Sequence, residues 1–342
     1  MLLAFLKPLF SSFSGPDRIA ETPIDKAWWD GLTEEWRTIF RINQQFSKQG
    51  VSIFKLQDEY INRLNAAGDA DYSPLNRSLY DLREVNSFGL GYTDMYARAL
   101  RKKHLVQNDT IDLATLADLD TIYMVNGPAD LGPLKKLPHL KVLIINYCGI
   151  GYNVPVMKQV LDLGPLQDLK ELKVLHCVSS PIQSLEPIRG LVNLEELVCH
   201  NSNITTLEPI KKLVNLKRLS VGSKVTNAAT ISRLENLEEL YIKGVKQLPD
   251  LSRLGNLKRL CIAESEMAIV NGSYRINDLD FLKALPKLEY LDLDATSYRG
   301  DLNALNGLRQ LKAITLPPVS RSAMLAFKEA HTSCMIINAY QW

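Results

Sequence analysis

The stretch from Leu185 to Val221 contains one unit written twice. Leu185-Glu186-Pro187-Ile188 leads through Leu191, Leu194, Leu197 and Cys199, and 22 residues later Leu207-Glu208-Pro209-Ile210 leads through Leu213, Leu216, Leu219 and Val221. A unit this short cannot bury its own apolar face, so copies of it must stack into a coil with one extended core. Such a coil escapes the size limit of a single compact core, and the whole of a 342-residue chain can then be one continuous body.

Counted by the first leucine of each unit, the repeats begin at Leu119, Leu140, Leu172, Leu194, Leu216, Leu237, Leu257, Leu288 and Leu311, with successive spacings of 21, 32, 22, 22, 21, 20, 31 and 23. Two units therefore carry about ten extra residues. Positions 1, 4 and 6 are apolar, as in Leu140, Leu143 and Ile145, or Leu172, Leu175 and Cys177. The alternation over positions 3 to 7 predicts a short strand in every unit, and stacking the units predicts a parallel sheet. Positions 4 and 6 then point inward, while 3, 5 and 7 line the concave face.

This Leu-x-x-Leu-x-Leu pattern resembles the leucine-rich repeats, and the Leu-x-Pro-Ile segment with its 22-residue period is most similar to the internalin-like class. The resemblance implies an α/β leucine-rich-repeat solenoid, with a curved parallel β-sheet on the concave face and a cap at each end. It further implies binding rather than catalysis. At position 9, where the family normally has asparagine, this chain has Cys148, Ser180, Ser202, Ser265 and Thr296, with Lys224 and Val245 as larger departures. Hydroxyls and thiols supply a partial substitute donor, and the turn near Lys224 is expected to be less regular.

Positions 2 and 3 read Glu195-Glu196, Lys217-Arg218, Glu238-Glu239, Lys258-Arg259, Glu289-Tyr290 and Lys312-Ala313, so the sign reverses from unit to unit. Parallel strands lie about 4.8 Å apart, which places opposite charges above and below each residue. The pattern predicts a charge ladder that favours correct register.

The flanks read differently. Residues 1–21 form an apolar patch and a flexible lead, residues 22–110 a mostly helical region with a possible degenerate repeat, residues 111–319 the repeats, and residues 320–342 a helix-strand cap. Thr22-Pro23 suits a helix start, Thr33 with Glu34 and Glu35 suits a second, and Asp58–Ala67 and Thr93–Lys103 have helical composition. Trp28, Trp29, Trp36, Ile39, Phe40 and Phe46 give this region an aromatic face that either covers the open end of the core or docks another protein.

Large apolar and aromatic side chains at concave positions, on a face the coil itself has no need to bury, suggest a protein or peptide surface. The candidate residues are Tyr123, Ile144, Tyr147, His176, Val178, Val198, His200 and Tyr241, together with Tyr152 and Tyr274 in the two insertions. No catalytic, cofactor or metal site is expected. Gly149-Ile150-Gly151 lacks the third glycine of a dinucleotide loop. His176 and His200 lack a third donor for zinc. Cys177 and Cys199 occupy inward positions, and Cys261, at outward position 5, is expected to be the accessible thiol.

A formal charge of +2 leaves no nucleic-acid footprint, and no stretch has the length and apolarity of a membrane span. The reading is therefore a non-catalytic module for an unknown protein or peptide, expected in the cytoplasm. An exported or cell-surface adhesion protein, and a regulatory subunit docking on an enzyme, stand as alternatives.

Overall fold

The computed structural model describes residues 24–48, 50, 111–125, 127–146, 160–222, 224–245, 248–263, 276–293, 296, 298–317 and 319–337. Within these, ten strands form one sheet in strict chain order, and each strand pairs in parallel with the next. They are β1 Thr121–Val125, β2 Val142–Asn146, β3 Val174–His176, β4 Glu196–Val198, β5 Arg218–Gly222, β6 Glu239–Lys243, β7 Arg259–Ala263, β8 Tyr290–Asp292, β9 Ala313–Thr315 and β10 Met335–Ile336. Nine of them are the strands expected from the repeat, and β10 is the last strand read from Met335-Ile336-Ile337.

Opposite the strands most coils make a 3-10 turn, and a short polar side chain recurs at the same place in the unit. Asp130, Asp162, Ser184, Thr206, Asn227, Asp250, Asp278 and Asp301 each accept a hydrogen bond from the backbone N–H two residues on, at 2.8–3.2 Å. These short polar side chains satisfy a donor that the turn leaves orphaned. The leucines between turn and strand all face inward, so Leu185, Leu191, Leu194 and Leu197 are buried with their equivalents in every neighbouring coil.

The chain must leave each strand sharply. Position 8 takes the left-handed conformation at Ser179 (φ 51°), Asn201 (φ 55°) and Gly244 (φ 65°). Glycine and asparagine reach that region at low cost, and serine does so less readily. At position 9 the hydroxyls act as expected from the sequence: Ser202 donates to Cys199 O at 2.7 Å, Thr296 to Leu293 O at 2.7 Å and Ser180 to Ile145 O at 2.9 Å. Val245 is buried and Lys224 exposed, its amine reaching Asn203 Oδ1 at 2.5 Å.

An asparagine ladder is nonetheless present at another place in the unit, nine residues before position 9. Asn193, Asn215, Asn236 and Asn256, each just before a first leucine, donate from Nδ2 to a backbone carbonyl of the preceding coil: Lys170 O, Val192 O, Val214 O and Glu235 O, at 2.9–3.2 Å.

At the N-terminal end, α1 (Lys26–Asp30) and α2 (Glu34–Lys48) cover the first coil. The first helix is capped by Asp25, which accepts from Trp28 N, so it starts three residues beyond the expected Thr22-Pro23. Thr33 caps α2 as expected, accepting from Trp36 N. Trp29, Trp36, Ile39 and Phe40 join the same apolar core as the leucines, so this aromatic face is a cap. Trp36 also donates to Asp130 O at 3.0 Å. Two carboxamides finish the seal. Asn43 accepts from Tyr123 N at 2.8 Å and donates to Tyr123 O at 3.0 Å, pairing with β1 as a neighbouring strand would. Gln44 does the same to Asp112, accepting from its N–H at 2.9 Å and donating to its carbonyl at 2.7 Å.

At the other end α3 (Arg321–Ala330), capped by Ser320, buries Phe327 against the last coil before β10. The helices expected at Asp58–Ala67 and Thr93–Lys103, the degenerate repeat, the lead over residues 1–21 and most of both insertions lie outside the described residues. Of the short helix expected around Met157 to Leu161, Val160 and Leu161 are described and belong to no helix.

Candidate functional site: the concave face

Each strand presents positions 3, 5 and 7 to the concave side, and the sheet register aligns them into rows. Along position 3 run Glu196, Arg218, Glu239, Arg259 and Tyr290, opposite one another on β4 to β8. Arg218 bridges Glu196 at 3.2 Å and Glu239 at 2.7 Å, and Arg259 bridges Glu239 at 2.5 Å. The Arg259 guanidinium also stands 5.1 Å over the Tyr290 ring. His176, at position 5 of β3, reaches across to the row, its Nε2 3.3 Å from Glu196. These side chains are half-buried.

Beside it, position 2 forms the outer ladder. Lys173 and Lys217 both bridge Glu195 (3.1 and 2.6 Å), Lys258 bridges Glu238 at 2.6 Å, and Lys312 bridges Glu289 at 2.6 Å. Together with the asparagine ladder this row lines a groove of about 620 Å³. The alternation read from the sequence is thus realised as ion pairs.

The carboxyl of Glu195 is held below its ordinary range by hydrogen bonds from Lys217 and Lys173. For Glu196, burial alone would raise the carboxyl, but its bond to His176 and the charge of Arg218 outweigh that and leave it lowered. A carboxylate depressed in the folded state stabilises the fold above its unfolded pKa and loses that contribution as pH falls through the folded value. A double-mutant cycle with Glu196→Gln and Arg218→Gln is therefore expected to show about 0.5–1 kcal/mol of coupling at neutral pH and low salt. The coupling should shrink with added salt and vanish once Glu196 is protonated. Urea unfolding of the four proteins measures it, and zero coupling at low salt would mean the ladder does not fix register.

Position 5 is where the structure departs from expectation. Ile144, Val198 and Tyr241, with Val178 and His200 at position 7, are 0–2% exposed, and only Tyr123 and His176 of the described candidates are half-buried. The face expected to be open is closed to solvent along this row. Part of the reason is local: on a concave sheet the side chains of adjacent strands converge and pack on each other. The His200 ring lies 5.4 Å from the Tyr241 ring, and its Nδ1 is 2.6 Å from Ser220 Oγ. Further along, Cys261 donates to Asp292 Oδ2 at 3.3 Å and Thr315 donates to Asp292 Oδ1. Cys261 is therefore buried, contrary to its expected accessibility, while Cys177 and Cys199 are buried in the core as their inward positions require. Tyr147, Tyr152 and Tyr274 lie outside the described residues. The rows were legible in the repeat, but not that on β4 to β8 the reachable side chains stand at position 3 and the buried ones at position 5.

Among the described residues no group of three or more His, Cys, Asp or Glu side chains is arranged to hold a metal ion, and no helix is long and apolar enough to cross a membrane. A search of curated proteins finds no match. Among solved structures, the chain is similar to an internalin from Listeria monocytogenes, at 21% identity over 67% of this chain and 72% of that one, with a TM-score of 0.50. It is also similar to a leucine-rich-repeat protein from Leptospira interrogans, at 21% identity over 66% of this chain, with a TM-score of 0.54; it spans only 57% of that protein. Both likenesses are of fold. The family description "Leucine-rich repeat region" matches residues 121–327, more than half of the chain, from the start of β1 into α3. By its repeat, its sheet and this match, the chain belongs to the leucine-rich-repeat family.

Proposed function

We propose that this protein is a non-catalytic binding module for a protein or peptide, engaged through the position-3 strip of the concave face. The observation that carries the reading is the strip from Glu196 to Tyr290: half-buried arginine, glutamate and tyrosine side chains across five strands, linked by ion pairs from Glu196 to Arg259 and by the Arg259 guanidinium over the Tyr290 ring. Arginine and tyrosine are enriched at interface cores. Side chains already held in one geometry lose less conformational entropy when a partner docks, which raises the affinity obtainable from a given contact. Among the described residues, α2 packs on the first coil and α3 on the last coil before β10, and the strip lies on the concave face between them.

Affinity capture from lysate of the source organism tests this, comparing wild type with an Arg259→Ala, Tyr290→Ala variant whose fold is verified by circular dichroism. The expected result is a specific protein retained by wild type and lost by at least tenfold from the variant, as removal of two anchor residues implies. Equal retention by both would move the binding surface off this strip.

A further inference from the structure

The groove beside the outer ladder holds charge and hydrogen-bonding capacity that the ion pairs do not use up. We propose that it binds a linear acidic polysaccharide, laid along the axis of the solenoid with about one sugar unit to each coil. The groove and the position-3 strip use different side chains, so each reading is tested without the other.

The groove, of about 620 Å³, runs from Lys173 to Lys287 over the coils of β3 to β8, and its lining carries four lysines against two glutamates. Glu195 is shared by Lys173 and Lys217, and Glu238 holds Lys258. Among the described residues Lys287 has no carboxylate partner, and its amine rests on Asn256 Oδ1 at 2.8 Å. Two positive charges are therefore left over, one toward each end of the groove. All four lysines are exposed, so exchanging a glutamate for a ligand carboxylate costs little. Hydrogen bonding is also incomplete. Asn193, Asn215 and Asn236 each donate from Nδ2 to the preceding coil, which fixes the plane of the carboxamide. Their Oδ1 atoms accept no hydrogen bond among the described residues. An unused acceptor thus recurs on three successive coils, in line with Asn256 and its lysine.

The spacing selects the ligand. Neighbouring coils lie about 4.8 Å apart along the sheet, close to the length of one hexose in an extended β-linked chain. Sugar hydroxyls can donate to the asparagine oxygens and accept from the lysines, and a uronate unit adds the carboxylate that the surplus lysines require. An extended peptide places side chains on one face roughly every 6.7 Å, so it falls out of step with the coils within two units. A helix keeps its backbone donors for itself and would reach these oxygens only through side chains. Contacts that stay in step along one chain add, so weak single contacts combine.

Isothermal titration of the full chain with oligomannuronates of increasing length tests the proposal. Affinity should rise with each added unit up to the hexamer, one unit for each coil from β3 to β8, and then level off. Asn236→Lys should tighten hexamer binding about two- to fivefold and Asn236→Glu weaken it by as much, the size expected of one exposed charge. Lysine and glutamate already stand at that place in a coil, as Lys287 and Glu171, so both variants should fold, and urea unfolding checks that they do. Wild type alone gives a measurement independent of any variant. Its affinity for the hexamer should fall with added salt. A neutral β-linked glucan hexamer, and oligoglutamate of equal charge, should bind at least about fivefold more weakly. The Arg259→Ala, Tyr290→Ala variant should bind the hexamer as wild type does, and loss of binding there would place the sugar on the strip instead. No binding of the hexamer, affinity independent of length, the same affinity in both Asn236 variants, or a neutral hexamer binding as tightly would each overturn the inference. Oligoglutamate binding as tightly would overturn it too, and would assign the groove to an acidic peptide.

Discussion

Replacing Trp36 by alanine is expected to cost about 3–5 kcal/mol, the largest single-residue loss in the N-terminal cap. The indole is 2% exposed, its ring centroid lies 5.2 Å from that of the fully buried Phe40, and its Nε1 donates to Asp130 O at 3.0 Å. Alanine leaves a cavity between helix and first coil and strips a part-buried carbonyl of its donor, so the transfer and hydrogen-bond losses add. Because each coil is supported by its neighbours, the damage should be greatest near β1 and fade along the stack. Urea unfolding gives the size of the loss and hydrogen exchange gives its gradient. A loss below about 1 kcal/mol would mean that the helix is an appendage rather than a cap.

Asn43→Leu, which nearly preserves volume, is expected to cost about 2–4 kcal/mol for a different reason. The side chain is 3% exposed, and its amide group serves Tyr123 N, Tyr123 O and the helix carbonyl of Ile39, the last at 2.9 Å. Leucine fills the space but leaves the N–H and C=O of Tyr123 without their partner in a part-buried setting. Asn43→Asp keeps the acceptor for Tyr123 N and loses both donations, so its stability should fall between the two. An exposed parallel edge is also a template for other chains, and light scattering of the leucine variant should show association that wild type lacks. If the leucine variant is as stable as wild type, the carboxamide pairing is not what closes the sheet.

The architecture was legible because its signals are periodic. A leucine every few residues, repeated at 22, fixes a stack of parallel strands whatever the loops do. Sign alternation at Glu195, Lys217, Glu238 and Lys258 became ion pairs because the strand spacing left no other neighbours within reach. The asparagine ladder was equally periodic, at Asn193, Asn215, Asn236 and Asn256, but it occupies a place in the unit where the family resemblance does not direct attention. Asn43 and Gln44 were less accessible to reading. They lie on the same helix face as Trp36, Ile39 and Phe40, where a polar residue looks like a gap in an apolar stripe until its strand partner is known. Burial of Val198, His200 and Tyr241 is a tertiary property. Position within a repeat gives the direction of a side chain and carries no record of how closely its neighbours pack.

The alternating row has a consequence for how such a chain can change length. A charge pattern with a period of two coils distinguishes odd from even. Duplicating or deleting a pair of adjacent coils leaves every neighbour opposite in sign, whereas adding or losing a single coil inside the stack must bring two like charges together. The unit of growth that the ladder tolerates is thus twice the unit visible in the leucines. A solitary like-charge step, as between Lys141 and Lys173, is the parity defect that an odd change in coil number would leave behind.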